Sequence, residues 1–131
     1  MFANIKELWK AALRGGEYKQ GQGALRSLCL RTGTFEYCCL GVLTDLYAKA
    51  NNCTFEQACE GNYEGHNENS YLSDKVAIWA GFVDGYGHVA CDPVLIPFEQ
   101  SSPVKRDGLC SQINDAGTSF NRIADLIDRN L

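Results

Sequence analysis

Two adjacent cysteines, Cys38 and Cys39, stand at the head of an apolar stretch, 35-FEYCCLGVLTDLY-47. A thiol at a helix N-terminus becomes a nucleophile when a histidine takes its proton and an Asn or Asp orients that histidine. Cys38 or Cys39 with His88 and Asp92 composes a candidate hydrolase set of this kind. The competing reading is packing, because the first turn of a buried helix accepts small sulfurs without steric cost. Spacing alone supplies no proximity between thiol and base, which catalysis requires. Both cysteines are therefore expected to be structural, and the chain to be non-enzymatic.

Zinc sites draw on CxxC or HxxxH-like spacings. This chain has Cys38 beside Cys39, and Cys53 six positions from Cys59. The run His66-Asn67-Glu68 imitates half of a zinc deaminase signature, but no P-C-x-x-C follows it. Neither a metal nor a cofactor is expected.

A second constellation is the glycine-flanked run 15-GGEYKQGQG-23, which lies between Arg14 and Arg26. Glycines let backbone amides approach a phosphate, and lysine or arginine neutralises it. The pattern GxxxxGK[ST] is absent, so this is no Walker A loop. Arg14, Tyr18, Lys19, Gln20 and Arg26 form the candidate ligand set, with Lys19 and Arg26 on a phosphate and Tyr18 stacking on a base. Asn114, Asp115 and Gly117, in 113-INDAGTSFNRIADLI-127, are candidates for polar contacts at the mouth of such a site. The plainer account of both runs is a helix stop followed by a turn or cap.

Charge distribution decides in favour of the anion reading. The net charge is −4, yet residues 1–31 hold Lys6, Lys10, Arg14, Lys19, Arg26 and Arg31 against Glu7 and Glu17, a balance of +4. The other hundred residues carry six basic and fourteen acidic groups, a balance of −8. An acidic whole argues against general nucleic-acid binding, whereas a local basic segment attracts one small anion. The acidic remainder also suits an interaction module that meets a basic partner.

The elements that must position these groups follow from periodicity. Ile5, Leu8, Trp9, Ala12 and Leu13 recur at helical spacing behind an Asn4-x-x-Glu7 capping box, and Gly15-Gly16 ends that helix. Leu28 and Leu30, then Phe35 and Tyr37, alternate about Thr32-Gly33-Thr34, which predicts a β-hairpin. Leu40, Leu43, Leu46, Tyr47 and Ala50 make a helix that is apolar nearly all round, hence central. Thr54 with Gln57 caps a short helix, Ser73 caps 74-DKVAIWAG-81, and Thr118 or Ser119 caps a last helix through Phe120, Ile123, Ala124, Ile127 and Leu131. Residues 88–98 read as extended chain, 99–108 as a loop and 109–117 as a short helical turn. Trp9 and Trp79 fall on apolar faces. With no linker in the sequence, the expected fold is a single α+β domain over residues 1–131. About four main helices pack on a small, largely antiparallel sheet.

Composition agrees with an ordinary globular chain, 45% hydrophobic and 21% charged. The N-terminal residues are charged at Lys6, Glu7, Lys10 and Arg14 and lack the apolar core of a secretory signal. Uncharged apolar runs such as 37-YCCLGVLT-44 fall far short of the roughly 20 residues that span a bilayer. A cytoplasmic protein without membrane contact is expected. Seven cysteines are an odd number, two of them adjacent, so reduced and mostly buried thiols are expected in preference to disulfides.

The stretches 9-WKAALRGGEYKQGQGALR-26, 37-YCCLGVLTDLY-47, 72-LSDKVAIWAGF-82 and 113-INDAGTSFNRIADLI-127, together about half the chain, resemble a family of small proteins of tailed bacteriophages and prophages. The chain departs from that pattern at Thr44, where a third cysteine is expected, and in 88-HVACDP-93. The second departure counts against His88 as a shared catalytic group. The resemblance implies a phage accessory protein in the host cytoplasm. Its partner would be a small anionic, nucleotide-type ligand or a host protein, and blunting a nucleotide-signalled defence is a common role for small proteins of that kind.

Overall fold

The computed structural model describes residues 1–60, 71–83, 94–97 and 107–131, with 94–97 and 107–112 described as backbone. The first helix, α1 (Ala3–Arg14), buries Ile5, Trp9 and Leu13, as their spacing requires. It begins earlier than the Asn4-Glu7 capping box predicts: Phe2 is the N-cap and makes no side-chain cap bond. The Phe2 amide donates instead to the Ala80 carbonyl at 2.9 Å, which fixes the start of the helix by a tertiary contact.

Three short strands follow, β1 (Lys19–Gln20), β2 (Arg26–Cys29) and β3 (Thr34–Tyr37). The predicted hairpin is β2–β3, paired antiparallel with Leu28 opposite Phe35 and Arg26 opposite Tyr37. The Gly33 amide closes the turn on the Cys29 carbonyl, and Gly33 takes φ 68°, a conformation glycine adopts without steric penalty. Strand β1 lies along the other side of β3 in parallel, with Lys19 beside Glu36 and Gln20 beside Tyr37. The sheet is thus mixed. Periodicity does not reveal a two-residue strand, and β1 exists through its pairing with β3.

Helix α2 (Cys39–Ala50) is the central element, with Cys39, Leu40, Gly41, Val42, Leu43, Thr44 and Ala48 buried. Behind it come α3 (Phe55–Cys59) and α4 (Asp74–Ala80). The capping box at Thr54 forms as the sequence predicts: the Gln57 amide donates to Thr54 Oγ1 at 3.1 Å, and the Thr54 amide donates to Gln57 Oε1 at 2.9 Å. Ser73 caps α4 and Gly81 ends it in the left-handed region. A second, two-stranded antiparallel ladder joins β4 (Val94–Pro97) to β5 (Asp107–Leu109). Strand β5 occupies the end of the stretch expected to be a loop and takes in Leu109, which the sequence places in a helical turn. That turn is α5 (Cys110–Asp115), and Ser119, not Thr118, caps α6 (Phe120–Asn130).

The result is an α+β fold. Helix α1 packs chiefly on α6, and α2 lies against α1, α3, α4 and α5. Trp9 is fully buried and donates its indole N–H to the Cys39 carbonyl at 2.9 Å, so its polar atom is satisfied within the core. Trp79 is only partly buried and meets Tyr47 edge to face at 5.6 Å. Among the described residues, no helix is long and apolar enough to cross a membrane.

Candidate functional site

The cysteine pair sits where a nucleophile would, but in the wrong surroundings. Cys38 is the N-cap of α2, and its Sγ accepts from the Gly41 amide at 3.4 Å. Burial pushes its thiol up to about 12, with the neighbouring Cys39 adding to the shift, so it holds its proton at neutral pH. Cys39 has no exposed surface at all. The other two members of the hydrolase set, His88 and Asp92, lie outside the described residues, as does His66. Cys29, Cys38, Cys39, Cys53 and Cys59 form no disulfide. The first, fourth and fifth of these are half-buried and the other two buried, while the side chains of Cys91 and Cys110 lie outside those described.

The basic residues of the N-terminal third are divided among several acidic partners. Arg14 reaches Asp125 on α6 at 2.7 Å. Lys19 lies 3.7 Å from Glu36. Arg26 binds Glu56, with its guanidinium 4.1 Å from the Phe35 ring centre and 4.2 Å from that of Phe55. In the β1–β3–β2 register Lys19 is in line with Glu36 and Ser27, whereas Arg26 is in line with Tyr37 and Gln20. Residues side by side in a sheet share a face and successive residues alternate, so Lys19 and Arg26 project from opposite faces.

Tyr18 is also committed. It is buried, meets Tyr37 edge to face at 5.0 Å, donates its hydroxyl to Asp45 at 2.5 Å and accepts from Lys49 at 3.0 Å. Burial and then the Asp45 carboxylate raise its phenol to about 12. The ring is therefore a buttress for α2, with no free face for a base to stack on.

The structure does bring Gln20 together with Asn114 and Asp115, which lie more than ninety positions further along the chain. Asn114 is fully buried. Its Oδ1 accepts from Gln20 Nε2 at 2.9 Å and from the Cys39 amide at 3.2 Å. Its Nδ2 donates to the Gly21 carbonyl at 2.8 Å and to Asp115 Oδ1 at 3.2 Å. Gln20 also donates to the Thr118 carbonyl at 2.7 Å and accepts from the Phe120 amide at 3.1 Å. Asp115 accepts from the Gly23 amide at 2.9 Å. The glycine loop after β1 is thus tied to the turn between α5 and α6. Two of its amides are already committed, Gly21 to the Tyr37 carbonyl and Gly23 to Asp115.

On the outer side of this junction lies an open polar depression of about 430 Å³, lined by Gln20, Gly21, Gln22, Glu36 and Gly117. Gln22 and Glu36 are absent from the sequence-derived set. The hairpin register puts Glu36 opposite Ser27, but its place in the depression depends on β1, for which the sequence carries no signal. Lys19 stands beside Glu36 and is about half exposed. No group of three or more His, Cys, Asp or Glu side chains is placed to hold a metal among the described residues.

Fold and site together define a small α+β protein with a hydrogen-bonding surface site and a buried cysteine pair. The chain belongs to the family described as Domain of unknown function (DUF8296), whose model matches residues 1–131. No curated protein and no solved structure matches it.

Proposed function

We propose that this is a non-enzymatic binding protein for a nucleotide-type ligand, held in the depression between the glycine loop, β3 and the α5–α6 turn. The observation that carries this reading is the lining itself: one carboxylate, two carboxamides and two glycines on a rigidly bonded frame. Glu36 repels a bare phosphate but accepts hydrogen bonds from the N–H edge of a nucleobase, and Gln22 both donates and accepts. Lys19 is spaced loosely from Glu36, so it turns to a phosphate once the base occupies the carboxylate. The ligand's polar edge therefore faces Glu36 and Gln22, and its negative end faces Lys19. Arg14 and Arg26, each already paired with a carboxylate, stay outside this arrangement. The raised thiol of Cys38 removes support from the hydrolase alternative. The resemblance to phage proteins supports sequestration of a signalling nucleotide in the host cytoplasm, as counter-defence, as the use of such a site.

The test is native mass spectrometry of protein purified from infected or signalling-competent cells, followed by titration with a panel of mono-, di- and cyclic nucleotides. At least one nucleotide should bind. Lys19→Ala and Glu36→Gln should each weaken it tenfold or more, the equivalent of about 1.4 kcal/mol. A panel that leaves the protein unbound at millimolar concentration, or an affinity indifferent to both changes, overturns the reading.

A further inference from the structure

The β2–β3 hairpin exposes apolar side chains that the ligand site does not use. Leu28 is 51% exposed, Leu30 89% and Phe35 44%. Leu28 and Phe35 are directly opposite one another, so they form one continuous surface on the face that also carries Arg26. Strand β2 is the edge of its sheet, with β3 its sole strand neighbour among the described residues. An exposed edge with apolar side chains is a template for a further strand.

Charge indicates what kind of strand fits. Residues 24–35 contain Arg26 and Arg31 and no acidic residue, in a chain whose net charge is −4. The molecule already holds one example of the chemistry this face accepts. Phe55 and Glu56, consecutive residues of α3, place a ring against the Arg26 guanidinium and a carboxylate upon it. The outer half of the hairpin holds the same residue types, with Leu28, Leu30 and Phe35 exposed on it and Arg31 exposed in its turn. Arg31 has no ion-pair partner among the described residues.

We infer that the hairpin is a docking surface for an extended peptide segment of a protein partner in which acidic and apolar residues alternate. The segment adds to the edge of β2, lays its apolar side chains on Leu28 and Phe35, and gives a carboxylate to Arg31. Backbone pairing supplies affinity, and the alternation of side chains sets the register. The surface is separate from the depression and does not depend on the nucleotide reading.

A displayed library of random 12-residue peptides panned on the intact protein tests this. Enriched peptides should alternate Asp or Glu with aliphatic or aromatic residues. Their synthetic versions should lose at least tenfold in affinity on Leu28→Ser and on Arg31→Glu, and should weaken as salt is raised. Both positions are exposed, and an unchanged circular dichroism spectrum and melting temperature confirm that each variant folds. Gln22→Ala should leave peptide affinity unchanged. Failure to enrich, enrichment without acidic residues, or binding to both variants as tight as to the unaltered protein overturns the proposal. Concentration-dependent dimerisation of the protein that Leu28→Ser abolishes would also overturn it, by making a second copy the occupant.

Discussion

At Gly41 the absence of a side chain is a packing requirement. A Cβ built there would lie 1.7 Å from the Leu25 carbonyl oxygen and 2.6 Å from its carbon, both backbone atoms that cannot rotate away. Gly41→Ala should raise helix propensity by about 1 kcal/mol, yet the clash should outweigh that gain and destabilise the fold by roughly 3 kcal/mol. Denaturant unfolding of the variant checks this, and a neutral or stabilised protein would contradict the close approach of α2 to Leu25. Two cysteines make a second comparison. Cys29 has its thiol lowered by the Thr32 side chain, with help from the Thr32 and Arg31 amides, whereas burial raises Cys38 to about 12. Since the thiolate is the reactive species, iodoacetamide at pH 7.5 should label Cys29 well before Cys38, as mapped by mass spectrometry. Faster labelling of Cys38 would revive a nucleophilic role.

At the scale of elements, the ion pairs between α1 and α6 set a pH window. Lys10, 7% exposed, donates to both Asp128 and Glu7, and Lys6 donates to the Asp128 carbonyl. The hydrogen bond from Lys10 lowers the Asp128 carboxyl below its usual range, and the bonds to Asp128 and then Glu7 raise Lys10. A lowered acid contributes stability that is complete above its unfolded value of about 4 and is lost as pH falls through the folded value. A raised lysine contributes stability that is complete below about 10.4 and is lost as pH rises beyond it. Asp128→Asn should therefore flatten the melting temperature at both ends of the range, below pH 4 and above pH 10, relative to the unaltered chain. Profiles that remain parallel would show the pair to be energetically silent, as many exposed ion pairs are.

For the molecule as a whole, Asn114 is the most consequential polar residue. Its four hydrogen bonds link β1, the glycine loop, the first turn of α2 and α5. Asn114→Leu keeps the branching of the side chain but leaves the Gly21 carbonyl without its donor in the interior and takes the acceptor from the Cys39 amide and from Gln20, which keeps its bond to Thr118. Each orphaned group costs about 1 to 3 kcal/mol, so a loss on the order of 3 kcal/mol or more is expected in chemical denaturation. Hydrogen exchange should then rise first in the glycine loop and the start of α6, because those segments lose their shared anchor. A loss confined to α5 would show that the loop holds itself without Asn114.

What the sequence by itself determines is local. The apolar spacing of Ile5, Trp9 and Leu13 makes α1, the Thr54-Gln57 pair caps α3, Ser73 and Ser119 start their helices, and Thr32-Gly33-Thr34 turns the hairpin, because each depends on residues a few positions apart. The sequence also singles out Gln20, Asn114 and Asp115 as polar residues beside glycines. It does not show that they meet, since single-sequence periodicity carries no signal for contacts between residues more than ninety positions apart. Tertiary structure decides that meeting, and with it the parallel seat of β1 that brings Glu36 into the depression. It also decides how the charges are spent: the +4 of the first 31 residues reads as an anion site in one dimension, but Asp125, Asp128, Glu36 and Glu56 come from later elements to face Arg14, Lys10, Lys19 and Arg26. The same holds for Cys38, whose residue type and place at a helix start permit chemistry and whose burial raises its thiol, because burial is a property of the packed fold that spacing along the chain does not report.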